Sequence, residues 1–222
     1  MRLAFFGTPG FAVPTLEGLL GAAHPVVLVV SQPDRGRGRG RASGPSPVSE
    51  IALREGISLL RPERVGEPSV VNALRDAQTD LGVVVAFGQF LPKRIREAPG
   101  LGYLINGHAS LLPRFRGAAP VARTILTGET RTGVSVMRVE REMDAGPVAR
   151  VHEIEIGADE TAGELADRLA ACTAEAIGKA IDEIAAETVT WTAQDDTHAS
   201  LAPKIERADA RLDWGHPALS LV

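Results

Sequence analysis

Cysteine is almost missing from this chain: its 222 residues include one, Cys172, so no disulfide framework can form within it, and the composition suits a reducing compartment. Cys172 sits among Ala170, Ala171, Ala174 and Ala176 on a helical pattern and reads as a small core residue rather than a nucleophile. Long apolar runs are also missing. The longest, Val26 to Val30 and Leu81 to Phe87, are far too short to cross a bilayer, and the start is a strand pattern broken by Gly7 and Pro9, unlike a secretory signal. A soluble, cytoplasmic monomer with no membrane partner is expected. No serine lies in a G-x-S-x-G elbow, which argues against covalent acyl chemistry. His24, His108, His152, His198 and His216 lack close ligand spacings, so no metal is expected. The full G-x-G-x-x-G is absent too, and Gly7-Thr8-Pro9-Gly10, with a proline removing one donor, reads as a tight structural turn. A net charge of -4 gives no global attraction for nucleic acid, so any RNA contact needs a local patch or a further domain.

What is present is a regular alternation. Leu3 to Phe6, Val26 to Val30, Leu81 to Val85, Leu101 to Ile105 and Val134 to Val139 are strand-length apolar runs. Between and after them lie helical spacings at Phe11 to Leu20, Pro47 to Arg54, Ser69 to Ala77, Ala119 to Leu126 and Thr161 to Ala186. With 44% hydrophobic residues, the chain can bury one large sheet in a single α/β domain. The alternation predicts a mostly parallel central sheet with helices on both faces, which places ligands at the carboxyl ends of the strands. After Glu187 the composition turns to Thr, Asp and Pro, predicting an edge hairpin and then a linker around Ile205 to Trp214.

Asn106-Gly107-His108 follows the fourth strand run. Residues two apart in an extended chain project to one face, so Asn106 and His108 are expected to point together. A carboxamide beside an imidazole is suited to holding a carbonyl oxygen as it becomes an oxyanion. Asp144, in Met143-Asp144-Ala145-Gly146-Pro147, adds a carboxylate that could orient the imidazole and relay a proton. Spacing alone equally allows Asn106 as a turn cap, His108 as a core histidine and Asp144 as a loop residue.

Longer motifs decide between these. Phe6-Gly7-Thr8-Pro9-Gly10-Phe11-Ala12, Ser31-Gln32-Pro33-Asp34-Arg35, Pro45-Ser46-Pro47-Val48, Val85-Ala86-Phe87-Gly88 with Leu91-Pro92, the N-x-H run, Ser110 to Pro120, Thr132-Gly133-Val134 and Met143 to Gly146 occur in the order found in the methionyl-tRNA formyltransferase family, which the chain resembles over nearly its whole length. Ala210-Arg211-Leu212-Asp213-Trp214 resembles the family's hand-over to a carboxyl-terminal β-barrel. The resemblance implies a Rossmann-like formyltransferase fold, with residues 1–203 as the catalytic domain and 204–222 as a linker towards a domain absent from this chain. It implies formyl transfer from 10-formyltetrahydrofolate to the α-amine of methionyl initiator tRNA, with Asn106 and His108 as oxyanion donors and Asp144 orienting His108 and passing protons. Folate is expected against Phe87, Gly88, Gln89, Leu91, Ser110, Leu111, Leu112 and Pro113; on the residues alone, Leu112 reads as core packing, and Phe87 less so because the Gly88-Gln89 pair after it suggests a loop. Gly107 departs from the family, where a β-branched residue is usual, and is expected to loosen the strand end.

Arg35-Gly36-Arg37-Gly38-Arg39-Gly40-Arg41 is the one low-complexity stretch, and on its residues alone it reads as a flexible, solvated cationic loop. Guanidinium groups bind phosphate oxygens in pairs, and the resemblance assigns Arg35, Arg37, Arg39 and Arg41 collectively to the tRNA acceptor stem. The alternatives are a folate-dependent formyltransferase acting on an amino sugar nucleotide, glycinamide ribonucleotide or another small amine, a formyl-folate hydrolase, and an inactive RNA-binding fragment.

Overall fold

The computed structural model describes residues 1–37, 42–212 and 214–215. In chain order the elements are β1 (Leu3–Gly7), α1 (Val13–Leu20), β2 (Val26–Val30), β3 (Arg35–Arg37), β4 (Ala42–Gly44), α2 (Pro47–Arg54), β5 (Ser58–Leu60), α3 (Pro68–Asp76), β6 (Leu81–Val85), α4 (Lys93–Arg96), β7 (Leu104–His108), α5 (Pro120–Leu126), β8 (Arg131–Arg138), β9 (Val148–Glu155) and α6 (Ala162–Ala185). Seven strands form one sheet in the order β5-β2-β1-β6-β7-β8-β9, and β3 pairs with β4 in a separate ribbon. The first five are parallel; β8 and β9 run antiparallel to their neighbours.

Alternation along each strand explains the layers. Leu3 and Phe5 of β1 face one way with Val83, Val85 and Ile105, under α1, α2 and α6. Ala4 and Phe6 face the other way with Val84 and Leu104, under α3 and α4. Strands apolar on both faces require such double cover. The order of strands reverses between β1 and β6, which opens a crevice at their carboxyl ends. There Phe87 O accepts from Thr8 Oγ1 at 3.2 Å and from Gln32 Nε2 at 2.8 Å. After β1, Thr8 and the bend at Pro9 lead directly into a 3-10 turn at Gly10–Ala12.

Several expectations shift. The fourth strand begins three residues late, because Leu101 is exposed and Gly102 turns the chain at φ +73, so Asn106 to His108 lie inside the ladder rather than beyond it. The edge strand β9 escaped the sequence reading because charged residues interrupt it at Arg150, Glu153 and Glu155. The hairpin expected after Glu187 is replaced by an extended strap with a bridge from Thr192 to Val148, a 3-10 turn at Asp196–His198 and a bridge from Leu201 to Arg116. Arg35 to Arg37 pair with Ala42 to Gly44 as an antiparallel ribbon instead of forming an irregular loop; Arg39 and Arg41 lie outside the described residues. The ribbon is rooted by a hydrogen bond between Ser31 Oγ and Ser46 Oγ at 2.6 Å and by the Asp34–Arg61 ion pair.

No helix among the described residues is long and apolar enough to cross a membrane. None of their His, Cys, Asp and Glu side chains gather in threes to hold a metal ion.

Candidate active site

β7 divides its side chains by parity. Ile105 packs into the cluster beneath α6, and a Cβ on Gly107 would lie 2.5 Å from Thr173 Cγ2 and 3.4 Å from Ile177 Cγ1. Asn106 and His108 therefore share the opposite face with Leu104. Gly107 does not loosen the strand, which stays paired with β8 through His108; it is the residue that lets α6 approach so closely.

His108 is buried, with 5% of its surface exposed, and both ring nitrogens face acceptors. Nε2 is 2.9 Å from Phe115 O, and since a carbonyl only accepts, Nε2 carries the hydrogen. Nδ1 lies 3.6 Å from Asp144 Oδ2. The same carboxylate oxygen accepts from the Gly117 N–H at 2.9 Å. Asp144 adopts φ +52, a left-handed conformation that aspartate tolerates better than most residues. Asn106 differs: it is half-buried, and its carboxamide makes no hydrogen bond among the described residues. The site thus combines one free amide donor with an imidazole and carboxylate already held in register.

The folate candidates are distributed unevenly. Phe87 and Leu91 are buried on the Asn106 face of the sheet, with Phe87 edge-on to Phe6 at 5.6 Å. The Gln89 side chain is committed to the fold, accepting from Val65 N at 2.8 Å and donating to Pro62 O at 3.2 Å. Gly88 and Phe90 are exposed, and the backbone groups of 88–91 find no partner among the described residues. Ser110 Oγ donates to Arg114 O at 2.6 Å, while Ser135 Oγ donates to Ser110 O at 2.8 Å and accepts from Leu112 N at 3.0 Å, stapling this segment to β8. Leu111, Leu112 and Pro113 are half-buried; the last two line an open groove of about 270 Å³ between β9 and residues 192–195, which does not include Asn106, His108 or Asp144.

A family described as formyl transferase matches residues 1–181. Over 221 residues the chain is 44% identical to the methionyl-tRNA formyltransferase of Solibacter usitatus and 45% identical to that of Methylococcus capsulatus, alignments that take in all of this chain and 71% of each relative. The chain belongs to the methionyl-tRNA formyltransferase family. Solved structures share the fold at lower identity. Glycinamide ribonucleotide transformylase 1 from Symbiobacterium toebii superposes with a TM-score of 0.73 at 19% identity, over 88% of this chain and 94% of its own. The N-formyltransferase from Helicobacter canadensis, in complex with folinic acid and dTDP-3-aminofucose, also gives 0.73, at 18% identity over 100% of this chain and 78% of its own.

The candidate site also draws on residues past 181, where the formyl transferase match ends. Gln194 and Ser200 reach the loops that carry Asp144 and Phe115. Nothing in their residue types or spacing singles them out in the sequence, because each acts only through a long-range contact with backbone.

Proposed function

We propose that the chain transfers a formyl group from 10-formyltetrahydrofolate to the α-amine of methionine on initiator tRNA, serving translation initiation in the cytoplasm. The observation that carries this reading is the free Asn106 carboxamide on the same strand face as the His108–Asp144 pair. The choice of methionyl-tRNA rests on the relatives 44% and 45% identical across the chain. Residues 1–203 form the catalytic unit in this reading, with 204–222 as its linker.

The folate supplies a formyl group already bound to a nitrogen that can leave. The unpartnered backbone of 88–91 fits a heterocycle edge that both donates and accepts, with Phe87 and Leu91 as a fixed apolar floor and Gly88, Gln89, Ser110, Leu111, Leu112 and Pro113 as its surroundings. Asn106 donates to the formyl oxygen as negative charge builds there, and such a donor is worth on the order of 100-fold to 1,000-fold in turnover. The methionine amine forms the new C–N bond as the bond to the folate nitrogen breaks. Asp144, beside His108 and fixed by Gly117 N–H, takes the amine proton and returns it to the departing nitrogen. Arg35 and Arg37 on the ribbon, together with Arg39 and Arg41, meet tRNA phosphates.

The test offers the protein 10-formyltetrahydrofolate with charged initiator tRNA, an amino sugar nucleotide, glycinamide ribonucleotide or water alone. Formyl should appear on methionine. Faster transfer to either small amine, or release of free formate, would replace this reading.

A further inference from the structure

Gln194 lies beyond residues 1–181, where the formyl transferase match ends, and far from β7 in sequence, yet its side chain joins the two loops that hold the catalytic pair. Its carboxamide is saturated. Nε2 donates to Asp144 O at 2.8 Å and Gly146 O at 2.7 Å, and Oε1 accepts from Arg116 Nε at 3.1 Å and Arg116 Nη2 at 2.7 Å. Carbonyl oxygens only accept and guanidinium nitrogens only donate, so the amide has a single permitted orientation.

Arg116 sits between the two residues that touch the pair. Phe115 O faces His108 Nε2, and Gly117 N–H holds Asp144 Oδ2. Gln194 therefore ties the loop carrying Asp144 to the loop that reads both His108 and Asp144. The strap around it is anchored at either end. Thr192 and Val148 exchange backbone hydrogen bonds at 2.8 Å each; Arg116 N donates to Ser200 O at 2.8 Å, and Ala202 N donates to Arg116 O at 2.7 Å. Phe115 N donates to Ser200 Oγ at 2.9 Å. Gly117, at φ +127, presses so closely on Ala202 that a Cβ would come within 2.8 Å of its carbonyl oxygen.

We infer that Gln194 is a positioning residue, which sets the alignment of Asp144 on His108 by holding the Asp144 and Gly146 carbonyls on the turn that follows Asp144. The role deepens the proposed transfer reaction and rests on it. Asp144 occupies a left-handed backbone conformation that its neighbours must enforce, and the two Nε2 donors grip that turn directly. A catalytic group displaced by about 1 Å costs on the order of 100-fold in rate.

Two substitutions separate the halves of the contact. Gln194→Leu removes all four hydrogen bonds. Gln194→Glu keeps an acceptor for Arg116 but puts an oxygen where Nε2 donated to Asp144 O and Gly146 O. In both, kcat for formyl transfer should fall about 10-fold to 100-fold with KM for donor and charged tRNA unchanged. The pair Gln194→Glu with Asp144→Ala should be no slower than Asp144→Ala alone. The imidazole nitrogen resonances of His108, recorded on the protein without substrates, should shift in Gln194→Glu. Wild-type kcat in Gln194→Glu, losses that multiply in the pair, or unmoved His108 resonances in a folded Gln194→Glu protein would each overturn the role. Should the parent protein transfer no formyl group while those resonances still shift, the functional reading fails and the positioning role survives.

Discussion

The two faces of β7 carry opposite assignments. On one, Ile105 is fully buried and Gly107 is overlaid by Thr173 and Ile177 of α6, a 24-residue helix that buries a stripe from Leu165 through Thr173 to Ile184. On the other, His108 is held by Phe115 O and faces Asp144, while the Asn106 carboxamide makes no hydrogen bond among the described residues. A free polar group on a half-buried strand is an unfavourable place to leave a donor. The packed face makes it tolerable: under the proposed function, a strand fixed from behind would hold Asn106 for a substrate without asking the amide to stabilise the fold. In the proposed reaction, rigidity and chemistry fall on alternate residues of a single strand.

The largest effect that could break this division comes from Asn106→Ala. Turnover should drop on the order of 100-fold to 1,000-fold, equivalent to about 2.7–4 kcal/mol of transition-state stabilisation. Thermal stability and affinity for the formyl donor should stay at parent values. A variant that instead unfolds some degrees earlier and keeps its turnover would show that the amide belongs to the fold. Asp144→Ala is expected to behave similarly in the same assays, since the carboxylate contacts His108 and a loop N–H rather than the core.

Gly107→Val tests the reverse face and should reverse the outcome. With Thr173 Cγ2 only 2.5 Å from the new Cβ, overpacking should cost about 1–3 kcal/mol in denaturant unfolding, while the folded fraction keeps kcat within a few-fold. Removing the obstructing methyl in Gly107→Val with Thr173→Ala should restore much of that loss. Equal stability of Gly107→Val and the parent would mean that α6 does not set the strand, and the division between faces would lapse.

These two residues also mark how far the sequence could be read. β2, β6 and α2 occur at the residues their patterns predict, since apolar runs and the helical spacing of Pro47 to Arg54 report local preferences. β7 came out three residues displaced because Leu101 is apolar without being buried, whereas Asn106 and His108 are polar but paired within the sheet. Gly107 looked like a weakness because only the approach of Thr173, 66 positions along the chain by number, gives it a purpose. Motifs singled out Asn106, His108 and Asp144 as candidates, and the structure brings His108 and Asp144 to 3.6 Å of each other. Gln194 and Ser200 were not singled out, because residues that bind backbone across a fold leave no periodicity and no motif of their own.

The smallest effect sharpens the packing side of the comparison, at the start of α6. Thr161 Oγ1 accepts from Glu164 N at 3.3 Å, and Glu164 Oε2 accepts from Thr161 N at 2.9 Å, a reciprocal capping box. The Thr161 backbone N–H, and after it the Thr161 hydroxyl, hold the Glu164 carboxyl below its ordinary value of 4.5. Gly157 N–H, followed by Arg168, lowers Glu160 in the same way. A carboxylate whose folded pKa is depressed stabilises the native state fully above its unfolded pKa, and loses that contribution as pH falls through the folded value. Thr161→Ala should cost about 1 kcal/mol at neutral pH, as loss of a threonine cap typically does. Because part of the box depends on an ionised Glu164, the gap between Thr161→Ala and the parent should narrow in urea unfolding carried below pH 4.5. A gap that stays constant from neutral to acid pH would assign the cap to the threonine hydroxyl alone. In either case kcat at neutral pH should be unchanged, since α6 meets β7 only from the side that Gly107 and Ile105 occupy.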